Sequence, residues 1–581
     1  MNQRRNRTAI SAAMKAVCLT IALTPKEACP AGEQGKPQPP VVVGAAEDSF
    51  LVTMPDGAVD MVFARTTAAG AEVARKRTTD SGQSWSAPEA VCTMGSKSLG
   101  APLPLATREG GLVLFWMVQR ATGGRPAVDY FIDIWEAHSR QRQTAWTRPQ
   151  PIFEGYVGSI NGMTQLANGR IVLPFAYWVG GQPEGPPNGC NITTTIYSDD
   201  GGGTWNRSPA RLTAPCYAGY NGSNYGAVEP AIIPLRDGRV WMLIRTQTGW
   251  LYESFSRDGA TWSEAKPSRF CSSDSPAWLM RLPDGRIVLF WNNCENTSRI
   301  KREGVYTNRD ALHAAISADE GKTWRGYREV YRDPLRNQSP PRTGDRGTAY
   351  SYATATRDGK ILMITGQGHG RRLILRVDPQ WLEETYQEDD FFQGLDGWSV
   401  FKAFGPAVGW WRDRTEGPQL VDHPTRPRAR VLHVRRPDEK DADGAVWNFP
   451  IGRQGRIAVR FLLQPGCQGV SFTLADRLIQ PTDDEGEKKV LFALSIAAGG
   501  RIPDGPTLEP GRWYALALDW DLDKQCCQVL VDGRPAGLLP ARSKTSPGVC
   551  YLRLRSTART RDPAGMLVES VRAQIDSPRL P

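Results

Sequence analysis

A chain of 581 residues is too long for a single hydrophobic core, so two or more domains are expected. Its 71 basic and 61 acidic residues leave a net charge of +10 that is scattered rather than clustered, which argues against nucleic-acid binding and suits acidic partners such as anionic glycans. With 58 glycines, 44 prolines and 40% hydrophobic residues, the composition fits many short strands joined by turns and excludes a helical bundle.

At the start of the chain Arg4, Arg5 and Arg7 precede a modest apolar stretch from Ala16 to Leu23, and Pro25 opens a Pro/Gly-rich segment that reaches Pro40. That order predicts a secretion signal and linker over residues 1–40, and so a secreted or periplasmic protein; a disordered tail is the alternative. No later segment is long enough to span a bilayer. Among the 11 cysteines, Cys190 with Cys216 and Cys271 with Cys294 are spaced like local disulfides of an oxidising compartment. Five histidines and no CxxC pairing predict no metal site, and no cofactor is expected.

A glycine turn followed by an apolar strand then recurs six times. The turns are Asp56-Gly57, Gly110-Gly111, Asn168-Gly169, Asp237-Gly238, Asp284-Gly285 and Asp358-Gly359, leading into runs such as RIVLPFAY and RVWMLIRT. Asn-Gly and Asp-Gly favour hairpins because both central positions tolerate positive φ. Six copies predict six blades of a β-propeller.

A second signal lags these strands: TTDSGQSW, SDDGGGTW, SRDGATW and SADEGKTW, with a worn copy in SRQRQTAW. Their tryptophans, Trp85, Trp146, Trp205, Trp262 and Trp324, follow one another at intervals of 57 to 62 residues. In such a hairpin tip the Asp carboxylate accepts turn N–H groups, glycine supplies positive φ and tryptophan packs between sheets. These segments are Asp boxes, and with them the chain resembles the sialidase (neuraminidase) superfamily, whose Asp-box or BNR-repeat propellers have six blades. The boxes speak for the fold and not for catalysis.

Sialic acid carries a carboxylate beside its anomeric carbon. Such a substrate calls for arginines, whose planar fork pairs with carboxylate, and for a neutral nucleophile, a tyrosine activated by a glutamate. A separate carboxylic acid would protonate the leaving oxygen. The resemblance implies Glu229 as general base and Arg245, sixteen residues later across an Asp-Gly turn, as a carboxylate ligand. It further implies Arg309 as another such ligand and Tyr350, eight residues before Asp358, as nucleophile. Each has an ordinary structural alternative: a turn cap at Glu229, a surface cation at Arg245, a solvated loop cation at Arg309, a core ring at Tyr350. The case rests on the set.

Blade one departs from the pattern. Where the family carries Arg-Ile-Pro, this chain reads EDSFLVTMPDG, with Glu47 in the arginine's place. Arg65 at the end of VDMVFAR holds the place in blade one that Arg245 holds in blade four and could restore a cation. The acid is left open among Glu72, Glu47 and Asp129, with Asp133 and Glu136 in the same blade-two strand as Asp129. Asn161 and Asp274 are ligand-facing candidates or turn residues.

The propeller is expected over 41–385. After VDPQWLEETYQ, a short helical connector, the boxes cease and a β-sandwich of jelly-roll type is expected over 388–581, resembling concanavalin-like, laminin-G-type modules. The fold class is therefore all-β. The resemblance implies an exported exo-α-sialidase-like glycosidase acting on a glycan. The alternatives are a non-catalytic glycan-binding propeller and a glycosidase of different sugar specificity.

Overall fold

In the computed structural model, residues 37–576 are described except for 69, 95–97, 124–126, 140–144, 181–188, 217–225, 296–307, 339–345, 368–370, 409–410 and 544–545. The expected signal segment and most of the worn Asp box before Trp146 lie outside the described residues. Gln38–Pro581 forms one compact unit.

Its first part is a ring of six four-stranded antiparallel sheets. Blade one comprises Ser49–Thr53, Val59–Thr67, Gly70–Thr78 and Glu89–Thr93; blade two Leu103–Ala106, Leu112–Thr122, Tyr130–Ser139 and Gln150–Phe153; blade three Thr164–Gln165, Ile171–Gly180, Gly189–Ser198 and Asn206–Arg207. Blade four comprises Val228–Pro234, Val240–Arg245, Trp250–Ser256 and Lys266–Cys271; blade five Trp278–Arg281, Ile287–Trp291, Ala311–Ser317 and Arg325–Arg332. Blade six comprises Tyr352–Ala355, Ile361–Thr365 and Leu373–Val377, with Val41–Ala45 as its outer strand. The second strands are apolar on both faces, and stacking each sheet between two others buries both: Val240–Arg245, Ile287–Trp291 and Ile361–Thr365 are buried throughout.

The six glycine turns each join the first and second strands of one blade. Only the glycine is left-handed, with φ from 76° at Gly359 to 93° at Gly285. Where Asp or Asn precedes that glycine, its side chain instead accepts the N–H two residues on, as in Ala58 to Asp56 and Arg239 to Asp237. The expectation that both central residues take positive φ is thereby corrected: the carboxylate's own bond to the turn replaces the second left-handed residue. Between the third and fourth strands lie the Asp boxes. In one, Asp200 accepts the Thr204 N–H and hydroxyl and the Ser198 hydroxyl, each at 2.8 Å, and these bonds, the Thr204 N–H foremost, lower its pKa to about 2. Trp205 Nε1 donates to Gly202 O at 3.1 Å.

Closure of the ring is non-covalent. Val41–Ala45 pairs antiparallel with Leu373–Val377, and Ala46 N–H donates to Arg372 O at 2.9 Å, which draws the start of blade one against the third strand of blade six.

Cys190 and Cys216 form a disulfide, whereas Cys271 and Cys294 are separate buried thiols. The expected second bridge is thus corrected. Burial pushes the Cys271 thiol up to about 12, and Cys294, whose Sγ lies 3.4 Å from Ala311 O, fills the apolar cluster that holds Trp291.

A one-turn helix, Pro379–Leu382, capped by the Asp378 carboxylate, leads to a β-sandwich. One sheet orders Gln419–Asp422, Arg430–Arg436, Asp562–Ile575, Gln454–Leu463, Trp513–Asp521, Cys526–Val531 and Arg534–Pro540, with Tyr386–Asp389 also on Asp562–Ile575. The other orders Trp398–Ser399, Gly444–Gly452, Val549–Ser556, Gly469–Ala475 and Phe492–Ala497, and the two enclose an apolar core that includes Trp447, Phe461, Phe472 and Trp520. The sandwich packs on blade five: Trp291 and Tyr327 share an apolar cluster with Ile451, Leu478 and Tyr551, and Cys294–Glu295 pairs in parallel with Leu478–Ile479.

Candidate active site

In an antiparallel blade the first strand starts, the second ends and the third starts at one end of the ring, opposite the glycine turns and the boxes. Glu229, Arg245, Asp274, Arg309 and Tyr350 all fall at that end. Val228 and Arg245 are register partners, and a bulge between Val228 and Ala231 puts Glu229 at φ 48°. Tyr350 takes φ 60° just ahead of the first strand of blade six. Left-handed backbone at two non-glycine residues is costly and is kept where the surroundings enforce it, often at functional sites.

Those surroundings are a chain of charge-assisted bonds. Arg245 Nη1 donates to Glu229 Oε2 at 2.5 Å and to Tyr350 Oη at 3.2 Å, while its Nε donates to Asp274 Oδ1 at 2.6 Å. Tyr350 Oη donates to Glu229 Oε1 at 3.0 Å. Arg309 Nη2 and Nε donate to the Asp274 carbonyl at 2.5 and 3.2 Å, and its guanidinium lies 5.5 Å from the Tyr350 ring centroid. Gly347 lets the chain pass Arg309: at φ 124°, a Cβ there would stand 2.7 Å from Arg309 Cβ. Glu229, Arg245, Asp274 and Arg309 are buried and Tyr350 is half-buried.

Burial works against the Arg245 cation, yet Asp274 and Glu229 on either side hold its pKa well above the usual guanidinium value. Burial pushes the Tyr350 phenol up to about 12, the Glu229 carboxylate adds to this, and Arg245 and Arg309 pull it back. The phenol is therefore protonated at neutral pH, with its proton already directed at Glu229.

A cavity of about 890 Å³ opens over this cluster. Glu229 and Tyr350 form part of its wall, together with Glu47, Asp48, Arg372, Gln367 and the apolar side chains of Phe50, Met117 and Ile160. Arg245 and Arg309 lie behind Tyr350 and Glu229 rather than in the wall. Among the described residues the arginine in the cavity wall is Arg372, which sequence reasoning missed. It forms an ion pair with Asp48, donates from Nη2 to Tyr350 O at 3.0 Å and lies 5.1 Å from the Tyr352 ring centroid. A signal existed: Arg372 enters the third strand of blade six much as Arg309 enters that of blade five. Asp48, next to Glu47, was likewise overlooked.

Other candidates sit elsewhere. Arg65, which lines an adjoining cleft, and Glu72 are register partners and bind each other, Nε to Oε1 at 2.5 Å; the expectation that Arg65 could restore a cation to the site is corrected by that cross-strand pairing. Asp129 lies in the blade-two turn, where its carbonyl accepts Gly123 N–H, outside the cavity wall. Asp133 pairs with Arg120 and accepts Gly155 N–H, and Glu136 accepts from Gln150, so both serve blade two itself. Asn161, next to Ile160 in the chain, is buried, its Oδ1 accepting from Ser159 at 2.9 Å. Asp274 is a buried clamp on both arginines rather than part of the wall.

A family model described as a BNR repeat-like domain matches residues 61–363, more than half of the chain. The chain belongs to the BNR repeat-like family. The match covers the second strand of blade one to that of blade six, the segment that carries the Asp boxes. No curated protein matches the chain. Among solved structures, this BNR-repeat protein is similar to Trypanosoma rangeli sialidase at 15% identity over 92% of each chain, with a TM-score of 0.39. It is also similar to a protein of unknown function from Dyadobacter fermentans at 18% identity, over 59% of this chain and 99% of that one, with a TM-score of 0.40. The NanB sialidase of Streptococcus pneumoniae is 12% identical over 60% of this chain and 70% of its own, with a TM-score of 0.40.

Proposed function

We propose that this protein is an exo-acting glycosidase that removes terminal sialic acid, or a related acidic sugar, from glycans. The observation that carries the reading is the bond from Tyr350 Oη to Glu229 Oε1, backed by Arg245, in the wall of a cavity that also presents Arg372. Glu229 accepts the phenolic proton as Tyr350 Oη bonds to the anomeric carbon. The glycosidic bond breaks, and its oxygen takes a proton from a carboxylic acid of the cavity, for which Glu47 is the candidate, Asp48 being ion-paired with Arg372. Water then cleaves the tyrosyl intermediate. Its proton returns to the carboxylate that acted as acid, and Tyr350 recovers its own from Glu229, so that configuration is retained. Arg245 and Arg309 offset the charge that develops on the phenolate, and Arg372 offers its cation to the substrate carboxylate.

A binding protein without turnover is the second reading, favoured by the pairing of Arg65 with Glu72, which among the described residues leaves blade one without a cation at the cavity. Fluorogenic sialosides and uronides decide between them. Turnover that Tyr350→Phe and Glu229→Gln abolish supports the enzyme; turnover that survives both removes this assignment.

A further inference from the structure

A cleft of about 500 Å³ runs between the outer strands of blades four and five and the sandwich, remote from the central cavity and sharing no residue with its wall. The propeller contributes Trp250, Arg269, Lys322 and Tyr327, and the sandwich contributes Arg453 and Arg477. Two of these cations sit side by side on the surface, Arg269 Nη1 donating to Lys322 O at 2.6 Å. Arg477 lies 5.2 Å from the Trp250 ring centroid, held there by Asp476 and Glu295. Among the described residues Asp476 is the one carboxylate in the wall, against four cations, and it is taken by Arg477.

Tyr327 supplies an independent observation. Its side chain is buried, its backbone is held at φ 52°, and its hydroxyl has no hydrogen-bond partner among the described residues. A buried polar group left unsatisfied is uncommon and calls for a reason, such as a ligand atom that completes it. Cations beside indole and phenol rings, with a free hydroxyl among them, fit one chemistry: a carboxylate on a hydroxylated ring whose C–H face can lie on an aromatic.

We propose that this interdomain cleft is a second, non-catalytic site for an acidic monosaccharide unit, such that the sandwich and propeller together hold an anionic glycan away from the central cavity. The proposal does not depend on turnover. Its test is equilibrium binding of free glucuronate and free N-acetylneuraminate to the full chain by calorimetry, the two sugars separating a hexuronate from a nonulosonate source. Arg269→Ala/Lys322→Ala should weaken binding of at least one sugar by about tenfold or more, while Arg372→Ala leaves that binding step in place. The double variant should keep its melting temperature and, on a small fluorogenic glycoside, its rate within about twofold. Tyr327→Phe should weaken the same binding step without lowering the melting temperature, because no protein bond is lost. Binding unchanged in the double variant, or neither sugar bound by the wild-type chain, would overturn the proposal. Loss of catalysis in Tyr350→Phe with this binding intact would leave it standing whatever the fate of the glycosidase reading.

Discussion

Tyr350 and Glu229 lie 121 positions apart, yet the phenol of one donates to the carboxylate of the other at 3.0 Å and each takes a left-handed backbone to do so. Two residues bonded in this way act as one unit. On a fluorogenic sialoside, Tyr350→Phe and Glu229→Gln should each lower kcat by about 10²–10⁴. The double variant should fall little below the slower single one. Steady-state kinetics with additive losses would separate the two residues.

Arg372 reaches the cavity and Arg65 does not. Arg372→Ala should raise KM for an acidic sugar by about tenfold or more, with a smaller change in kcat. Arg65→Ala breaks a part-exposed pair worth at most about 1 kcal/mol and should leave KM within about twofold. Equal effects on KM would remove Arg372 from the substrate's path.

Arg414, in the strand Trp411–Glu416 outside both sandwich sheets, reaches blade five beside Arg309. Arg414 Nη1 donates to Asp310 Oδ2 at 2.9 Å and to Arg336 O at 2.6 Å, all of it buried, next to Arg309 in the chain. Removing one partner of a buried pair costs about 3–5 kcal/mol. Arg414→Ala should therefore lower the melting temperature and also reduce kcat/KM as Arg309 loses its support. Unchanged kcat/KM in protein that still folds would confine Arg414 to stability.

A buried relay joins blade five to the sandwich. Asn293 N–H donates to His313 Nδ1 at 3.1 Å, His313 Nε2 meets Tyr551 Oη at 2.5 Å, and Tyr551 Oη donates to Glu329 Oε1 at 2.6 Å. The Tyr551 hydroxyl proton points at Glu329, so Nε2 carries the imidazole proton and Nδ1 only accepts. Burial pushes His313 down to about 4, so this group stabilises the fold fully above its ordinary value near 6.5 and loses that contribution as pH falls from there toward 4. The span corresponds to roughly 3 kcal/mol. Thermal melts should show stability declining across this window, with a shallower decline in His313→Gln. A flat profile in the wild-type chain would refute the relay.

How much of this was legible beforehand follows from the range of the interactions. Each glycine turn and each Asp box closes its bonds within about five residues, so their spacing alone announces blades. Glu229 and Arg245 were readable for a related reason, since one hairpin fixes their register. Cys271 and Cys294 were misread because spacing allows a bridge but does not orient two thiols.

Sequence by itself determined the six-bladed all-β plan, because a run apolar on both faces must be buried on both, and regular turns set where each run folds back. Only the tertiary structure decided which cation faces the cavity. Val41–Ala45 closes the ring on blade six and so brings Asp48 to Arg372, 324 positions away, while the local strand pairing of blade one ties Arg65 to Glu72. Ring closure joins the two ends of the propeller chain, and no local pattern in either end records which side chains will meet.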